Sequence, residues 1–110
     1  MSLNELEKIY FSVINSIRSS QKDLSERQKG VLLTVYLKED LQTVRSLSRH
    51  LRISKAAISR AVDTLESYGF LRRMPDKRDK RSVIINKTVE GRVYVDDWND
   101  SLGKSKNFLI

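Results

Sequence analysis

The chain has 110 residues, of which 39% are hydrophobic and 32% are charged, and this composition suits one soluble domain with a modest core. No apolar run approaches the ~18 residues that a membrane span needs, and the opening stretch "MSLNELEKIY" lacks the apolar core of a signal peptide, so we expect a cytoplasmic protein. The absence of cysteine excludes disulfides, thiolate metal sites and thiol-based redox sensing.

The net charge of +7 is confined to one part of the chain. The stretch from Thr43 to Arg81 contains eleven basic and four acidic residues, which equals the whole excess. The residues outside it carry ten charges of each sign and are neutral in sum. A positive charge that is localised in this way indicates a polyanionic partner bound by that stretch.

Two amphipathic patterns begin the chain. Residues 3 to 19 place apolar side chains at three- and four-residue spacing, which predicts a helix with one apolar stripe. The sequence "SERQ" from Ser25 to Gln28 has the form of a capping box and predicts a second helix that runs to about Lys38. The run "VLLTVYL" in this second helix predicts a place inside the core, where Gly30 would allow a close approach.

Two short helices joined by a tight turn are predicted next. Leu41 and Gln42 allow at most a short piece of strand, after which Thr43 caps a third helix and Ser54 caps a fourth, which Gly69 ends. Apolar side chains of the two helices and of the turn form a common seam that holds the pair at a fixed angle: Leu47, Leu51, Ile53, Ile58, Val62 and Leu65. This pattern predicts a helix-turn-helix.

The fourth helix is the candidate for entry into a major groove of DNA, because the face away from the seam is small or basic. The candidate contacts on this face are Ser54, Lys55, Ala56, Ser59 and Arg60. The alternative is that these charges only keep a surface helix soluble.

A basic hairpin is predicted directly after the helix-turn-helix. The segments "FLRRM" and "SVIIN" flank a charged turn, which is typical of two short antiparallel strands. Asp76 is expected to shape this turn, and the candidate DNA contacts on it are Lys77, Arg78, Asp79, Lys80 and Arg81. A helix-turn-helix followed by such a hairpin predicts a winged helix-turn-helix, whose wing reaches toward the neighbouring minor groove or backbone.

The sequence "KTVEG" predicts a fifth helix with Thr88 as its N-cap and a loose apolar stripe of Val89, Val93, Val95, Trp98 and Leu102. The predicted fold class is therefore mainly α with a small β-hairpin wing. Residues 25–87 would form the DNA-binding core of a single domain, and residues 1–20 and 88–110 would form flanking helices for dimerisation. The dimerisation candidates, each of which could instead pack on its own core, are Leu3, Leu6, Tyr10, Val13, Ile17, Trp98, Leu102 and Phe108.

The run "LSRHLRISKAAISRAVDTLESYGFLRRMPDKRDKRSVIINKTVEG" resembles the DNA-binding core of MarR-type transcriptional regulators, whose hallmark is D-x-R in the wing followed by T-x-x-G at the next helix. Those positions are Asp79, Arg81, Thr88 and Gly91. The resemblance implies that Arg81 enters the minor groove while Asp79 holds its guanidinium. It also implies a dimer formed by the terminal helices and a small aromatic effector. Two departures are Arg52, where such turns usually carry glycine, and a chain shorter than is usual for the family.

The sequence thus favours a DNA-binding transcriptional regulator, expected to be a homodimeric repressor. It would bind a pseudo-palindromic operator through recognition helix 54–68 and wing 72–86. The alternative from another class is a winged-helix protein-interaction module or a DNA-architectural factor from a mobile element. An enzyme is not expected, because Asp96, Asp97 and Asp100 are better explained as a solvated helical face and His50 is the only histidine. No metal or cofactor is predicted.

Overall fold

Five helices and one antiparallel hairpin make up the fold, which a computed structural model describes for residues 4–19, 22–40, 42–79 and 81–103. The elements are α1 (Asn4–Arg18), α2 (Glu26–Leu37), α3 (Val44–Leu51), α4 (Lys55–Ser67), β1 (Leu71–Pro75), β2 (Val83–Lys87) and α5 (Val89–Gly103). The predicted fold class, mainly α with a small β-hairpin wing, is confirmed. The candidate residues Leu3, Lys80 and Phe108 lie outside the described residues.

The starts of α2, α3 and α4 follow from local capping chemistry. Ser25 and Gln28 form the predicted capping box, in which each side chain accepts the backbone N–H of the other residue. Thr43 and Ser46 form a second capping box at α3, and the Ser54 hydroxyl accepts the N–H of Ala57 at 3.0 Å. Each cap satisfies backbone donors that have no partner within the helix, which fixes where the helix begins.

The core forms where α2, α3, α4 and the hairpin meet. Its fully buried side chains are Val31, Leu32, Val35, Leu47, Ile58, Val62, Leu65 and Ile85. Thr34 is also buried, and its hydroxyl donates to the carbonyl of Gly30 at 2.6 Å, so its polar atom is satisfied within α2. The seam predicted for the helix-turn-helix is therefore part of one continuous core.

The hairpin is tied to the helical core along β2. Strands β1 and β2 pair antiparallel with Arg73 opposite Ile85. The backbone N–H of Ile85 donates to the carbonyl of Gln42 at 2.7 Å, and Thr43 forms an isolated bridge with Ile84. The short strand expected before α3 is thus a single bridge at Thr43, while Leu41 lies outside the described residues. These bonds fix the base of the hairpin against the start of α3.

The hydroxyl of Tyr36 connects three elements from its position on α2. Its single proton is shared between the carbonyls of Phe70 and Thr88, which lie 3.0 and 3.1 Å away, and its oxygen accepts the N–H of Thr88 at 3.1 Å. Gly91 packs directly against this group, because a Cβ at position 91 would collide with Tyr36 Oη and with the Phe70 carbonyl oxygen. The start of α5 can therefore approach α2 and β1 only with glycine at this position.

The inward face of α5 differs from the predicted stripe. Val89 and Val93 are exposed, whereas Tyr94 is buried with its ring centroid 4.4 Å from that of Phe70. Trp98 is half-buried and meets Tyr94 edge to face, so Gly91, Tyr94 and Trp98 form the buried line. The predicted stripe was wrong at Val89, Val93 and Leu102, which are exposed, because the helix orients its aromatic surface and the glycine toward the core. It was right at Val95 and Trp98, which pack against the core.

Helix α1 contributes no buried residue. It packs against α5, where the Asn15 side-chain amide donates to the carbonyl of Ser101 at 3.1 Å. Its apolar side chains Leu6, Ile9, Tyr10, Val13 and Ile17 are all exposed. Among the described residues, none of the helices has the length and apolar character required to cross a bilayer.

The close approach expected at Gly30 is not observed, because a Cβ there would lie 3.9 Å from Leu51 Cδ2, an ordinary contact distance. Gly30→Ala should therefore stabilise the fold by about 0.5–1 kcal/mol, since alanine is the better residue inside a helix. Gly91→Ala should lower the free energy of unfolding by about 1–3 kcal/mol because its methyl group meets backbone. Urea denaturation followed by circular dichroism measures the free energy of unfolding of both variants. A change of the same sign in the two variants would contradict the conclusion that Gly91, and not Gly30, is required by a close approach.

Candidate nucleic-acid interface

The turn between α3 and α4 sets the angle of the helix-turn-helix. Arg52 adopts a left-handed conformation with φ 57° and ψ 42°, the geometry that glycine would provide without strain. For a residue with a Cβ this conformation costs about 1–2 kcal/mol. The Ser48 hydroxyl donates to the carbonyl of Ile53 at 2.6 Å, and Ile53 packs against the core. The turn thus holds a residue with a side chain in a left-handed conformation, and the Ser48 bond and the packing of Ile53 oppose the cost.

The two faces of α4 separate as predicted. Ala57, Ile58, Ala61, Val62 and Leu65 are buried on one side. On the other side Ser54, Lys55, Ala56 and Arg60 are exposed, and Ser59 is partly exposed. Because the residues of this outer face are small or basic, the first two turns of α4 form a ridge thin enough to enter a DNA groove.

Further exposed cations surround this helix. They belong to α3, to the turn after it and to the outward face of β1: Arg45, Arg49, Arg52 and Arg72. Together with Lys55, Arg60 and the cations of the wing they form a positively charged surface. That surface corresponds to the basic stretch found in the sequence.

Two aspartates build the turn at the tip of the wing. Asp76 Oδ1 accepts the backbone N–H of Arg78 at 2.9 Å, and Asp79 Oδ1 accepts the backbone N–H of Arg81 at 3.0 Å. Ser82 closes the turn through backbone bonds to Asp76 and Asp79. Each carboxylate is therefore directed at the main chain, which stabilises the turn. The side chains of Lys77, Arg78 and Arg81 remain exposed.

The contact of Asp79 corrects one expectation. The resemblance implied that this carboxylate holds the Arg81 guanidinium, but it binds the Arg81 backbone amide instead. Among the described residues, no carboxylate lies within ion-pairing distance of the Arg81 guanidinium. The residues are only two positions apart, so the tight turn places the amide nearer to the carboxylate than the end of the long side chain. Asp76 has the role that was predicted for it.

Arg73 binds the hairpin to α4. Its backbone N–H and its guanidinium both donate to the Glu66 carboxylate at 2.9 Å. The second guanidinium nitrogen lies 2.7 Å from Asp63 Oδ1 and donates to the carbonyl of Ser59 at 3.0 Å. Arg73 therefore contributes no free charge to the basic surface, although its neighbour Arg72 is exposed.

The pKa of Glu66 reflects this contact. The backbone N–H of Arg73, more than any other group, holds the pKa of the carboxyl below its ordinary value of 4.5. Partial burial opposes this effect, and the guanidinium of Arg73 adds to it. Glu66 is consequently ionised at neutral pH and acts as a permanent partner of Arg73.

The carboxylates of Asp96, Asp97 and Asp100 are exposed on α5, as a solvated helical face would be. Asp96 accepts the side chain of Arg92 at 3.1 Å, one helical turn away. Within the described ranges, no three histidine, aspartate or glutamate side chains come together in a way that could hold a metal ion.

Two residues that organise the interface were not identified from the sequence as functional. Tyr36 stands in an apolar run, and no sequence signal marks its hydroxyl as a junction. Arg73 could have been found, because strand alternation puts it on the same face as the buried Leu71. In addition, Asp63 and Glu66 are the two acidic residues of the otherwise basic α4.

A cavity of about 870 Å³ lies between α1, α2 and α5. Apolar and aromatic side chains form much of its lining, including Ile9, Leu33, Tyr36, Trp98 and Leu102. Its size lies within the range of small-molecule sites in proteins. The same Tyr36 that lines this cavity binds the start of the wing through its hydroxyl.

A capped helix-turn-helix, a basic recognition face and a basic hairpin fixed to it define a winged-helix DNA-binding protein. Comparison with family models matches residues 24–83 to the MarR family. Comparison with curated protein sequences finds no match.

Solved structures show the same fold. The regulator BldR from Sulfolobus solfataricus is 28% identical with a TM-score of 0.64, and the alignment covers 97% of this chain and 78% of that one. MepR from S. aureus in complex with DNA is 18% identical with a TM-score of 0.72, covering 93% and 78%. A cysteine-to-serine mutant of E. coli MarR with operator DNA is 23% identical with a TM-score of 0.71, covering 93% and 69%.

Because the family model covers more than half of the chain, this protein belongs to the MarR family. It is a DNA-binding transcriptional regulator and not an enzyme.

Proposed function

We propose that this chain is a homodimeric repressor that acts in the cytoplasm on a pseudo-palindromic operator. Each protomer would place α4 in a major groove and direct the hairpin at the neighbouring minor groove. The observation that carries this proposal is the arrangement of charge. Lys55 and Arg60 of α4 and Lys77, Arg78 and Arg81 of the wing are exposed, whereas the carboxylates of the wing, Asp76 and Asp79, accept backbone amides. Repression is the simplest mode of regulation, because a dimer bound over a promoter blocks access to it without any contact other than that with DNA.

The groups of α4 would contact base edges and phosphates. Lys55 and Arg60 are long enough to donate to phosphates or guanines, and Ala56 offers a small apolar surface beside them. Ser54 and Ser59 can bind at closer range. On the wing, Lys77, Arg78 and Lys80 would contact the backbone while Arg81 enters the minor groove, where the negative potential favours a cation without a base-specific pattern.

The Asp79 carboxylate would contribute to DNA binding through the main chain of the wing. By accepting the N–H of Arg81 it fixes the backbone from which the Arg81 side chain projects. This arrangement limits the conformations of the turn before DNA is bound, so less entropy is lost on binding.

Substitutions in the wing test this proposal against a labelled duplex that the wild-type chain selects from a random pool. Arg81→Ala should weaken binding by about 1–3 kcal/mol and reduce the slope of log affinity against log salt by about 1. Arg60→Ala and Lys55→Ala should also weaken it. Asp79→Ala should weaken binding although it makes the protein more basic. Unchanged affinity and salt slope in Arg81→Ala, or tighter binding by Asp79→Ala, would contradict the proposal.

The proposed dimer would cover the exposed apolar side chains of the terminal helices. Leu6, Tyr10, Val13 and Ile17 form one stripe along α1, and Leu102 is exposed on α5. Water-exposed apolar area of this kind favours association. Trp98 is half-buried against its own core, so it would contribute only its exposed edge.

Light scattering should give twice the 12.8 kDa mass of one chain. Tyr10→Lys combined with Ile17→Lys should produce a folded monomer, since both side chains are exposed within one protomer and cost little to replace there. Val89→Lys, at an even more exposed valine of α5, serves as the control and should leave the dimer intact. A wild-type monomer, or a dimer in the double variant, would refute this interface.

A small aromatic effector is proposed for the cavity between α1, α2 and α5. A ring bound there would contact Tyr36, whose hydroxyl holds Phe70 and Thr88 at the base of the hairpin. Occupation of the cavity could then be transmitted to the wing. Quenching of Trp98, the single tryptophan of the chain, would report binding, and saturating compounds that leave both fluorescence and DNA affinity unchanged would argue against an effector.

A further inference from the structure

The C-terminal half of α4 carries two carboxylates in a lobe that binds a polyanion. Asp63 and Glu66 follow Ser59 by four and seven residues, so the three residues share one side of the helix. Ser59 is a candidate DNA contact, so this side borders the surface proposed to face DNA. Two negative charges at this border would repel phosphates unless a cation accompanies them.

Arg73 is the cation that accompanies both. Its guanidinium reaches Glu66, Asp63 and the Ser59 carbonyl at 2.9, 2.7 and 3.0 Å. Its side chain is 27% exposed, less than those of Asp63 and Glu66 at 67% and 38%. The Arg73 backbone N–H also binds Glu66. The side chain and the main chain of one strand residue are therefore both attached to the recognition helix.

These contacts cross from one DNA-binding element to the other. Arg73 lies within β1, seven residues after Glu66 and fourteen after Ser59. The chain itself connects α4 to β1 through the short segment of Tyr68, Gly69 and Phe70. The bonds of Tyr36 and Thr88 fix the base of the hairpin at that segment, and Arg73 adds an attachment between the strand and the side of α4. A planar guanidinium with three acceptors along one helix resists rotation of the hairpin about that segment.

We infer that Arg73 is a positioning residue for DNA binding, which fixes the angle between the recognition helix and the wing through Glu66, Asp63 and the Ser59 carbonyl. This inference rests on the proposed function, in which α4 and the wing bind neighbouring grooves at the same time. A change in their angle would separate the two contacts and lower affinity for a specific site. Non-specific binding depends on total charge and would change little.

Removing the negative charge of Glu66 distinguishes a positioning role of the Arg73–Glu66 contact from simple repulsion of phosphates by that charge. If Glu66 only repelled phosphates, Glu66→Gln would tighten binding to any DNA. If Glu66 holds Arg73 in place, the same substitution weakens binding to the specific site, because a neutral amide is a poorer acceptor for the guanidinium. The two accounts predict opposite signs for one isosteric change.

The experiment measures the affinity of the full chain for two labelled duplexes, one selected by the wild type from a random pool and one unselected duplex of equal length. Glu66→Gln should bind the selected duplex about tenfold more weakly and the unselected one at least as well as the wild type. Glu90→Gln, an exposed carboxylate at the start of α5, is the matched control and should not weaken either. Glu66→Gln that binds the selected duplex as well as or better than the wild type would overturn the inference.

A second pair of variants uses the neighbouring arginines of β1. Arg73→Met should reduce the ratio of specific to non-specific affinity. Arg72→Met, which removes the same charge from the exposed basic surface, should weaken binding to both duplexes by the same factor and so leave that ratio unchanged. The double variant Arg73→Met, Glu66→Gln should bind the selected duplex no more weakly than the weaker-binding single variant, because both substitutions break the same contact between Arg73 and Glu66. Equal ratios for the two arginine variants, or additive losses in the double variant, would refute the positioning role.

Two further measurements separate the causes of a negative result. Circular dichroism and thermal melting identify any variant that fails to fold, and Glu66→Gln then serves as the milder substitution at the same contact. If the wild-type chain enriches no duplex from the pool, the proposed function fails. If it does enrich one and Glu66→Gln retains full affinity, only the positioning role of Arg73 fails.

Discussion

The junction around the Tyr36 hydroxyl determines how the DNA-binding elements are placed. This hydroxyl forms hydrogen bonds with the carbonyl of Phe70, where the hairpin begins. It also forms them with the carbonyl and the N–H of Thr88, where α5 begins. Thr88 adds a bond from its hydroxyl to the carbonyl of Gly69, at the end of the recognition helix, and accepts the N–H of Gly91. The end of α4, the base of the wing and the start of α5 are thus fixed at one point. The T-x-x-G pattern has a physical meaning here, since the threonine caps α5 and the glycine leaves room for the tyrosine.

The basic surface depends as much on where the carboxylates are bound as on the number of cations. Asp76 and Asp79 accept backbone amides in the wing, and Glu66 and Asp63 are held by Arg73. In each case the negative group stabilises local backbone or orients an element. The exposed arginines and lysines that the structure describes on α3, on α4 and in the wing can then displace counterions from DNA.

The local features of the fold could be predicted from the sequence because short-range chemistry decides them. The capping residues Ser25, Thr43 and Ser54 begin three helices, and Gly69 ends α4 with a φ of +80°. The apolar seam and the hairpin follow from residue spacing. Features that depend on distant partners could not be predicted in this way. The orientation of α5 depends on contacts with Phe70 and Tyr36, which lie far away in the chain.

The residues of the candidate site could be predicted from the sequence, but several of their contacts could not. Its residues could be proposed because small and basic side chains occur at helical and turn positions that motif patterns define. The partner of Asp79 was assigned to the wrong group of Arg81, since a pattern names residues but not atoms. Strand alternation could have placed Arg73 on the inward face of β1 beside Leu71. Its acceptors on α4 could not be named, because they depend on how the strand packs against the helix.

Hydroxyl-radical footprinting on the selected duplex tests the central claim most directly, namely that helix and wing together contact neighbouring grooves in each half of a dimer. The account predicts two symmetric protected regions whose centres are about 10 base pairs apart, or a multiple of that spacing. It also predicts that Arg81→Ala loses the sugar protection in the minor groove under the wing, while guanine N7 atoms in the major groove, probed in parallel with dimethyl sulfate, stay protected. A single protected region, or a footprint that Arg81→Ala leaves unchanged, would contradict the account.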